Sequence, residues 1–269
     1  MLLCIDIGNT NTVLATFDGE TIVHSWRVKT DARSTADELG LLYCGLLEGS
    51  GSTVRGPGAA AITGVAACST VPAALRSLRT MLARYFGHVR SVIVEPGIRT
   101  GVQLAIDNPK EVGADRVVNT LAAYTLYGGP SIVVDFGTTT NFDVISARGE
   151  FLGGAFAPGI EISFDALADR AAQLRKVEAA KPRSVIGKNT VECLQSGMYF
   201  GFAGQVDRIV ERMTEEIGEV RAVIATGGLA PIVIDECRTI THHEPMITLI
   251  GLRLVYERNV PPAEALNRR

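Results

Sequence analysis

The chain has 269 residues, 46% of them hydrophobic and 20% charged, an ordinary globular balance that excludes a disordered or collagen-like protein. Its 26 basic and 29 acidic residues leave a formal charge of −3, so no basic field points to nucleic acid or to an anionic membrane. At about 150 residues per domain the length allows two domains, and a core of that size needs no disulfide or structural metal.

Cys4, Cys44, Cys68, Cys193 and Cys237 are odd in number, scattered, and form no C-x-x-C pair, which predicts reduced thiols in a reducing compartment. Asp6 interrupts the first apolar run, no basic segment precedes it, and no run approaches the ~18 apolar residues of a membrane span. A cytoplasmic protein is expected.

The opening Leu2–Ile7 reads as a short buried strand stopped by Gly8-Asn9-Thr10. A strand over 12–17, an Asp18-Gly19 hairpin and a strand over 21–28 follow, then a helix over 35–47. The Gly/Ser-rich stretch 49–58 predicts a flexible surface loop. Beyond it the pattern gives a strand over 60–67, a helix over 71–86, a strand over 91–95 and a helix from Gly113 to Tyr127.

The pattern then restarts. Ser131 to Thr139 repeats the strand-Asp-x-Gly-x-Thr arrangement, with Asp6, Gly8 and Thr10 matching Asp135, Gly137 and Thr139 at one offset. Later come helices over 160–172 and 191–217, a strand over 222–225 with a glycine turn leading to an apolar helix, and a last helix over 246–257. One repeat at half the chain length predicts a duplicated α/β domain whose two lobes face each other across a cleft. A boundary after residue 108 is expected, giving an N-terminal lobe over 1–108 and a C-terminal lobe over 109–269.

A strand that ends in Asp-x-Gly-x-Thr offers specific chemistry. The glycine lets successive N–H groups converge on an anion, the threonine adds a hydroxyl donor, and the aspartate can hold a cation against the same phosphate. One such turn could be plain hairpin punctuation; two at equivalent places favour a site for the phosphates of a nucleotide. The first turn would place Asp6 beside Mg²⁺, and the second would contribute Gly137. A third turn, Thr226-Gly227-Gly228, allows close backbone approach to a ligand such as the adenosine of a nucleotide. Asp115 and Arg116 fall in the first turn of a helix, near the positive end of its dipole. There the aspartate could accept a proton from a hydroxyl and the arginine could hold an anion.

Two apparent nucleotide motifs fail. Gly187-Lys188-Asn189-Thr190 lacks the leading glycine of a Walker A loop, since Pro182 stands there. Gly56-Pro57-Gly58 follows a Gly/Ser loop instead of a strand. Asn189 with Glu192 resembles a helix capping box, and the adjacent His242-His243 do not share a face. Gly197, Gly201 and Gly204 inside the long helix point to close helix packing, including across a dimer.

The sequence resembles the type III pantothenate kinases of the acetate-and-sugar-kinase, Hsp70 and actin superfamily. The motifs that carry this are Asp6-Ile7-Gly8-Asn9-Thr10-Asn11, Asn108 to Arg116, Asp135-Phe136-Gly137-Thr138, Gly153-Gly154-Ala155 with Pro158-Gly159, Gly187 to Thr190, and Thr226-Gly227-Gly228. The resemblance implies duplicated ribonuclease-H-like, actin-like ATPase lobes. It implies ATP-dependent phosphorylation of pantothenate to 4'-phosphopantothenate, the first step of coenzyme A biosynthesis. ATP would be bound by Asp6, Ile7, Gly8, Asn9, Thr10, Asn11, Thr12, Val13 and Thr138. Pantothenate would be lined by Gly113, Ala114, Asp115 and Arg116, with Asp115 as proton acceptor. Asp135 would coordinate a monovalent cation, K⁺ or NH₄⁺, and Thr190 would reach pantothenate from the partner subunit of a homodimer. The chain departs from many relatives at Asn141, where they carry threonine, and at Ile106, where they carry tyrosine. A kinase of another small hydroxy acid and a catalytically silent accessory or regulatory relative are the alternatives; intact Asp6, Asp115 and Asp135 speak against the second.

Overall fold

The computed structural model describes residues 1–49, 58–170 and 177–261. The greater part of the expected Gly/Ser loop, and the last residues of the helix expected over 160–172, lie outside them. Element order is β1 (Leu2–Ile7), β2 (Asn11–Asp18), β3 (Thr21–Lys29), α1 (Ala36–Glu48), β4 (Gly64–Ser69), α2 (Pro72–Tyr85), β5 (Arg90–Ile93) and α3 (Ala114–Tyr127). It continues with β6 (Ser131–Phe136), β7 (Thr139–Ile145), β8 (Phe151–Pro158), α4 (Ile160–Arg170), α5 (Thr190–Ile217), β9 (Ala222–Thr226), α6 (Ala230–Val233), β10 (His242–His243) and α7 (Ile247–Asn259).

The strands form two five-stranded sheets, ordered β3-β2-β1-β4-β5 and β8-β7-β6-β9-β10. In each, the first strand pairs antiparallel with the second and parallel with the fourth. The two sheets therefore have one topology, as the repeated motif predicts. The chain divides into two compact units: residues 1–101, 110–122 and the chain from Thr248, and residues 102–109 and 123–247. Unlike a single cut at 108, this division falls within α3 after Ala122 and within α7 after Ile247.

In the first unit the core forms around Leu3, Ile5 and Ile7 of β1, against Tyr43 and Leu47 of α1 and Leu78 and Met81 of α2. In the second, Ile132, Val134 and Phe136 of β6 pack with Phe164, Phe202, Val206 and Val223. Burying each such side chain contributes roughly 1.5–3 kcal/mol, so the strands that carry the two aspartates are firmly anchored in the two cores. Thr35 caps α1: its hydroxyl accepts from Glu38 N–H, while the Glu38 carboxylate accepts from Thr35 N–H. At the other end Gly49 closes α1 at φ +74°, a left-handed conformation natural to glycine.

Two expectations change, and one strand is present where the pattern gave no reading. The strand expected from Ala60 begins at Gly64, because Ala59–Ala61 make a 3-10 turn; alanine runs have little strand preference, and pairing with β1 starts at Leu2 opposite Gly64. β8 is a full strand despite its glycines. A Cβ at Gly154 would collide with the Phe142 carbonyl, so glycine marks a close backbone approach there. The apolar helix expected after Gly228 is one turn, α6, followed by a 3-10 turn over Ile234–Glu236. Beyond that turn the chain is held to α5, where Asp207 accepts from the backbone N–H groups of Arg238 and Thr239 at 3.2 and 2.9 Å.

Candidate active site

β1 and β2 are joined by a four-residue hairpin in which Gly8 N–H donates to Asn11 O at 3.0 Å. A Cβ on Gly8 would come to 3.0 Å from that carbonyl oxygen, so the tight turn favours glycine. Asn9 and Thr10 are exposed at the tip, while Thr12 is buried and shares a hydroxyl hydrogen bond with Thr30 at 2.9 Å. Ile7 is core and Val13 pairs across the ladder with Asp6; both build the turn from behind.

Asp6 lies near the end of β1, opposite Cys68 of β4 in the parallel register. The Cys68 thiol donates to Asp6 Oδ1 at 3.3 Å. Burial, and secondly the Asp115 carboxylate, push the Asp6 carboxyl up to about 7, against the opposing pull of the Cys68 hydrogen bond and Arg27. Asp6 and Asp115 thus belong to one electrostatic neighbourhood within the first unit.

Asp115 sits in the first turn of α3. Its carboxyl is raised by burial, opposed by hydrogen bonds from the backbone N–H groups of Arg116 and of Asp115 itself and by the Arg116 charge. Oδ1 is buried with no hydrogen-bond partner in the protein. A Cβ on Gly113 would fall on that oxygen, so glycine there leaves the space the carboxylate occupies. A buried, unpartnered carboxylate oxygen fits the need of an incoming hydroxyl, which can donate to it. Ala114 and Arg116 flank it on the same turn, each half-buried.

The second unit repeats the turn. Gly137 N–H donates to Thr139 O at 3.0 Å, and Thr138 is exposed at the tip. Asp135 stands opposite Thr226 across the parallel pair, as Asp6 stands opposite Cys68. Gly227, at φ +89°, brings its backbone against the Asp135 carboxylate and to 2.5 Å, in Cβ terms, from the Phe136 carbonyl. Gly228 follows, and Leu229 N–H returns to Phe136 O at 3.1 Å. The structure therefore joins two separately noted motifs, the second aspartate turn and the Gly-Gly turn, at one sheet end. Asn141 takes up a local role, its Oδ1 accepting from the Thr139 hydroxyl at 2.6 Å. Ile106 lies near Gly153, with Cγ2 at 3.6 Å from where a Cβ would stand.

Thr190 is exposed as the first residue of α5. Asn189 caps the helix by accepting from Glu192 N–H at 2.9 Å, but the Glu192 carboxylate accepts from Lys188 N–H instead of closing the box at Asn189. Gly197, Gly201 and Gly204 are exposed, and a Cβ at any of them would meet nothing within 4 Å. Their expected close packing is not made with the described residues of this chain.

Cys68 was not singled out by the sequence. Its signal was the repeat: Cys68-Ser69-Thr70-Val71-Pro72 ends β4 as Thr226-Gly227-Gly228-Leu229 ends β9, and Thr70 N–H bonds Ile7 O as Leu229 N–H bonds Phe136 O. Among the described residues no group of three or more His, Cys, Asp and Glu side chains could hold a metal by itself. Single carboxylates at the ends of these strands suit a cation that takes its remaining ligands from a bound molecule and water.

Paired sheets of one topology, each with an Asp-x-Gly hairpin at the end of its first strand, define an actin-like ATPase fold. The same fold is found in the activator of 2-hydroxyisocaproyl-CoA dehydratase from Clostridium difficile, solved with bound ADPNP, at TM-score 0.56 and 12% identity over 100% of this chain and 97% of that one. Residues 2–212 match the family model of type III pantothenate kinase. Curated type III pantothenate kinases are 82% identical in Salinispora arenicola and 68% identical in Acidothermus cellulolyticus, each over 97% of this chain and the whole of the relative. The chain belongs to the type III pantothenate kinase family.

Proposed function

We propose that this chain transfers the γ-phosphoryl group of ATP to the primary hydroxyl of pantothenate, forming 4'-phosphopantothenate at the entry to coenzyme A biosynthesis. Family membership supplies the substrates. The observation that supports the residue assignment is the Asp115 carboxylate, with its buried, unpartnered Oδ1 set over Gly113 and electrostatically linked to Asp6.

Phosphoryl transfer passes through a loose transition state, so positioning and charge stabilisation dominate. The turn from Asp6 to Val13 and the Gly137-Thr138 turn present backbone N–H and hydroxyl groups to the phosphates, and the Gly227-Gly228 turn admits the adenosine side. Asp6 is the residue for Mg²⁺ carried on the phosphates, and Asp135 for a monovalent cation, K⁺ or NH₄⁺; these cations offset phosphate charge. Gly113, Ala114 and Arg116 line the acceptor, with the Arg116 guanidinium for the pantothenate carboxylate. The acceptor oxygen forms its bond to the γ-phosphorus as the bond to the β–γ bridging oxygen breaks, and the hydroxyl proton passes to Asp115 Oδ1. A carboxyl raised by burial is a stronger base than an ordinary aspartate.

A homodimer in the cytoplasm completes the reading. Thr190 of one subunit would serve the partner's pantothenate. In support, Val185, Ile186 and Val191 around it are 63, 67 and 47% exposed, and the glycines of α5 leave an open face. No helix among the described residues is long and apolar enough to cross a membrane.

The test is ADP release with Mg-ATP and pantothenate in K⁺ or Na⁺, with Asp115→Asn alongside. Pantothenate-dependent turnover that needs K⁺ and falls ~10²–10⁴-fold in the variant, with ATP binding intact, is expected. Turnover of other hydroxy acids but not pantothenate would overturn the substrate, and an undiminished variant would overturn the base.

A further inference from the structure

α3 is buried from Val117 to Ala122, and within this run two side chains are polar, Asn119 and Thr120. The Thr120 hydroxyl is satisfied, donating to Arg116 O one turn back at 2.9 Å. Asn119 is 1% exposed, and neither its Oδ1 nor its Nδ2 has a hydrogen-bond partner in the protein. Buried amides are almost always bonded, and an apolar side chain of the same size would serve the core better. An asparagine at this position needs a reason other than packing.

Asp115 supplies one. It lies four residues earlier, on the same helix face, where Cβ atoms stand about 5–6 Å apart. Helical side chains lean towards the N-terminus, so Asn119 leans towards the turn that carries Asp115. The Asp115 Oδ1 atom is itself buried and unpartnered. Two orphaned groups, an amide donor and a carboxylate acceptor, thus share one buried face.

We propose that Asn119 is a positioning residue for Asp115, its Nδ2–H donating through one bridging water to Oδ1. A carboxylate oxygen has two lone pairs, so Oδ1 can hold this bond and still receive the proton of the acceptor hydroxyl. Asn119 fixes the carboxylate plane on the substrate and does not itself touch the reacting atoms. This inference rests on Asp115 being the base.

The experiment compares wild type, Asn119→Leu, Asp115→Asn and the double variant by pantothenate-dependent ADP release, with thermal unfolding of each. Leucine replaces an unsatisfied amide by an apolar group of similar size, so a merely structural Asn119 predicts an equal or higher Tm and unchanged activity. A positioning Asn119 predicts an equal or higher Tm, KM for ATP within about twofold of wild type, and kcat lower by roughly 10–100-fold. It also predicts that the double variant is no slower than Asp115→Asn alone. Wild-type kcat in Asn119→Leu, with Asp115→Asn collapsed, overturns the proposal and leaves the base in place. Full activity in Asp115→Asn overturns the base and the proposal with it. If Asn119→Leu shows no cooperative unfolding, Asn119→Ser is read with and without Asp115→Asn. Loss confined to the background that retains Asp115 supports the proposal, and equal loss in both overturns it.

Discussion

Asp6 makes the ligand-free protein lose stability as pH rises from about 4 to about 7. Its carboxyl ionises near 3.8 in an unfolded chain but is pushed up to about 7 in the folded one, by burial first and the Asp115 charge second. Between those values the native state keeps a proton that the unfolded state has released. Stability is therefore full below about pH 4, falls as pH rises, and levels off above 7. At ~1.4 kcal/mol per tenfold change in proton affinity the loss is at most on the order of 4 kcal/mol. Asp115, also raised by burial, acts in the same direction. Asparagine at position 6 carries no charge to bury. Urea unfolding of Asp6→Asn and wild type at pH 5 and pH 8, without nucleotide, should show the variant gaining on wild type by a few kcal/mol at the higher pH. Parallel pH dependence in the two proteins would refute the argument. Mg-ATP should raise wild-type stability at pH 8 by linkage, and Asp6→Asn should lose most of that increment.

Other substitutions probe the remaining geometry. Gly113→Ala places a methyl group on Asp115 Oδ1, so kcat should fall roughly 10–100-fold while Tm changes little, because a side chain and not backbone must move; steady-state kinetics beside thermal unfolding checks this. Gly227→Ala meets the Phe136 carbonyl at 2.5 Å from a φ of +89°, and should cost about 2–4 kcal/mol in urea unfolding as well as weaken ATP binding by calorimetry. Cys68→Ser keeps a donor to Asp6 Oδ1 and should hold the KM for Mg-ATP near wild type. Cys68→Ala removes the donor, and should raise that KM by ~3–10-fold, as loss of a modest hydrogen bond implies; equal KM values for the two variants would discount the thiol.

Local patterning was enough to read β1, the hairpin glycines, the Thr35-started helix α1 and the long helix α5, because each is fixed by near-neighbour periodicity and capping. The offset between Asp6 and Asp135 also revealed the duplication, and both sheets carry one strand order. Where the outcome hung on non-local pairing, the sequence was silent. The start of β4 follows from its register with β1, the strand character of β8 from the backbone approach of Gly154 to β7, and the single turn of α6 from the ties of Arg238 and Thr239 to Asp207. At the candidate site, residue type named Asp6, Asp115, Asp135 and the glycines. Tertiary structure alone set Cys68 beside Asp6, Gly227 against Asp135 and the unpartnered oxygen of Asp115 over Gly113. The division has one physical cause: turns and caps are made by residues a few positions apart, whereas burial, and with it the proton affinity of a carboxylate, depends on chain segments that only folding brings together.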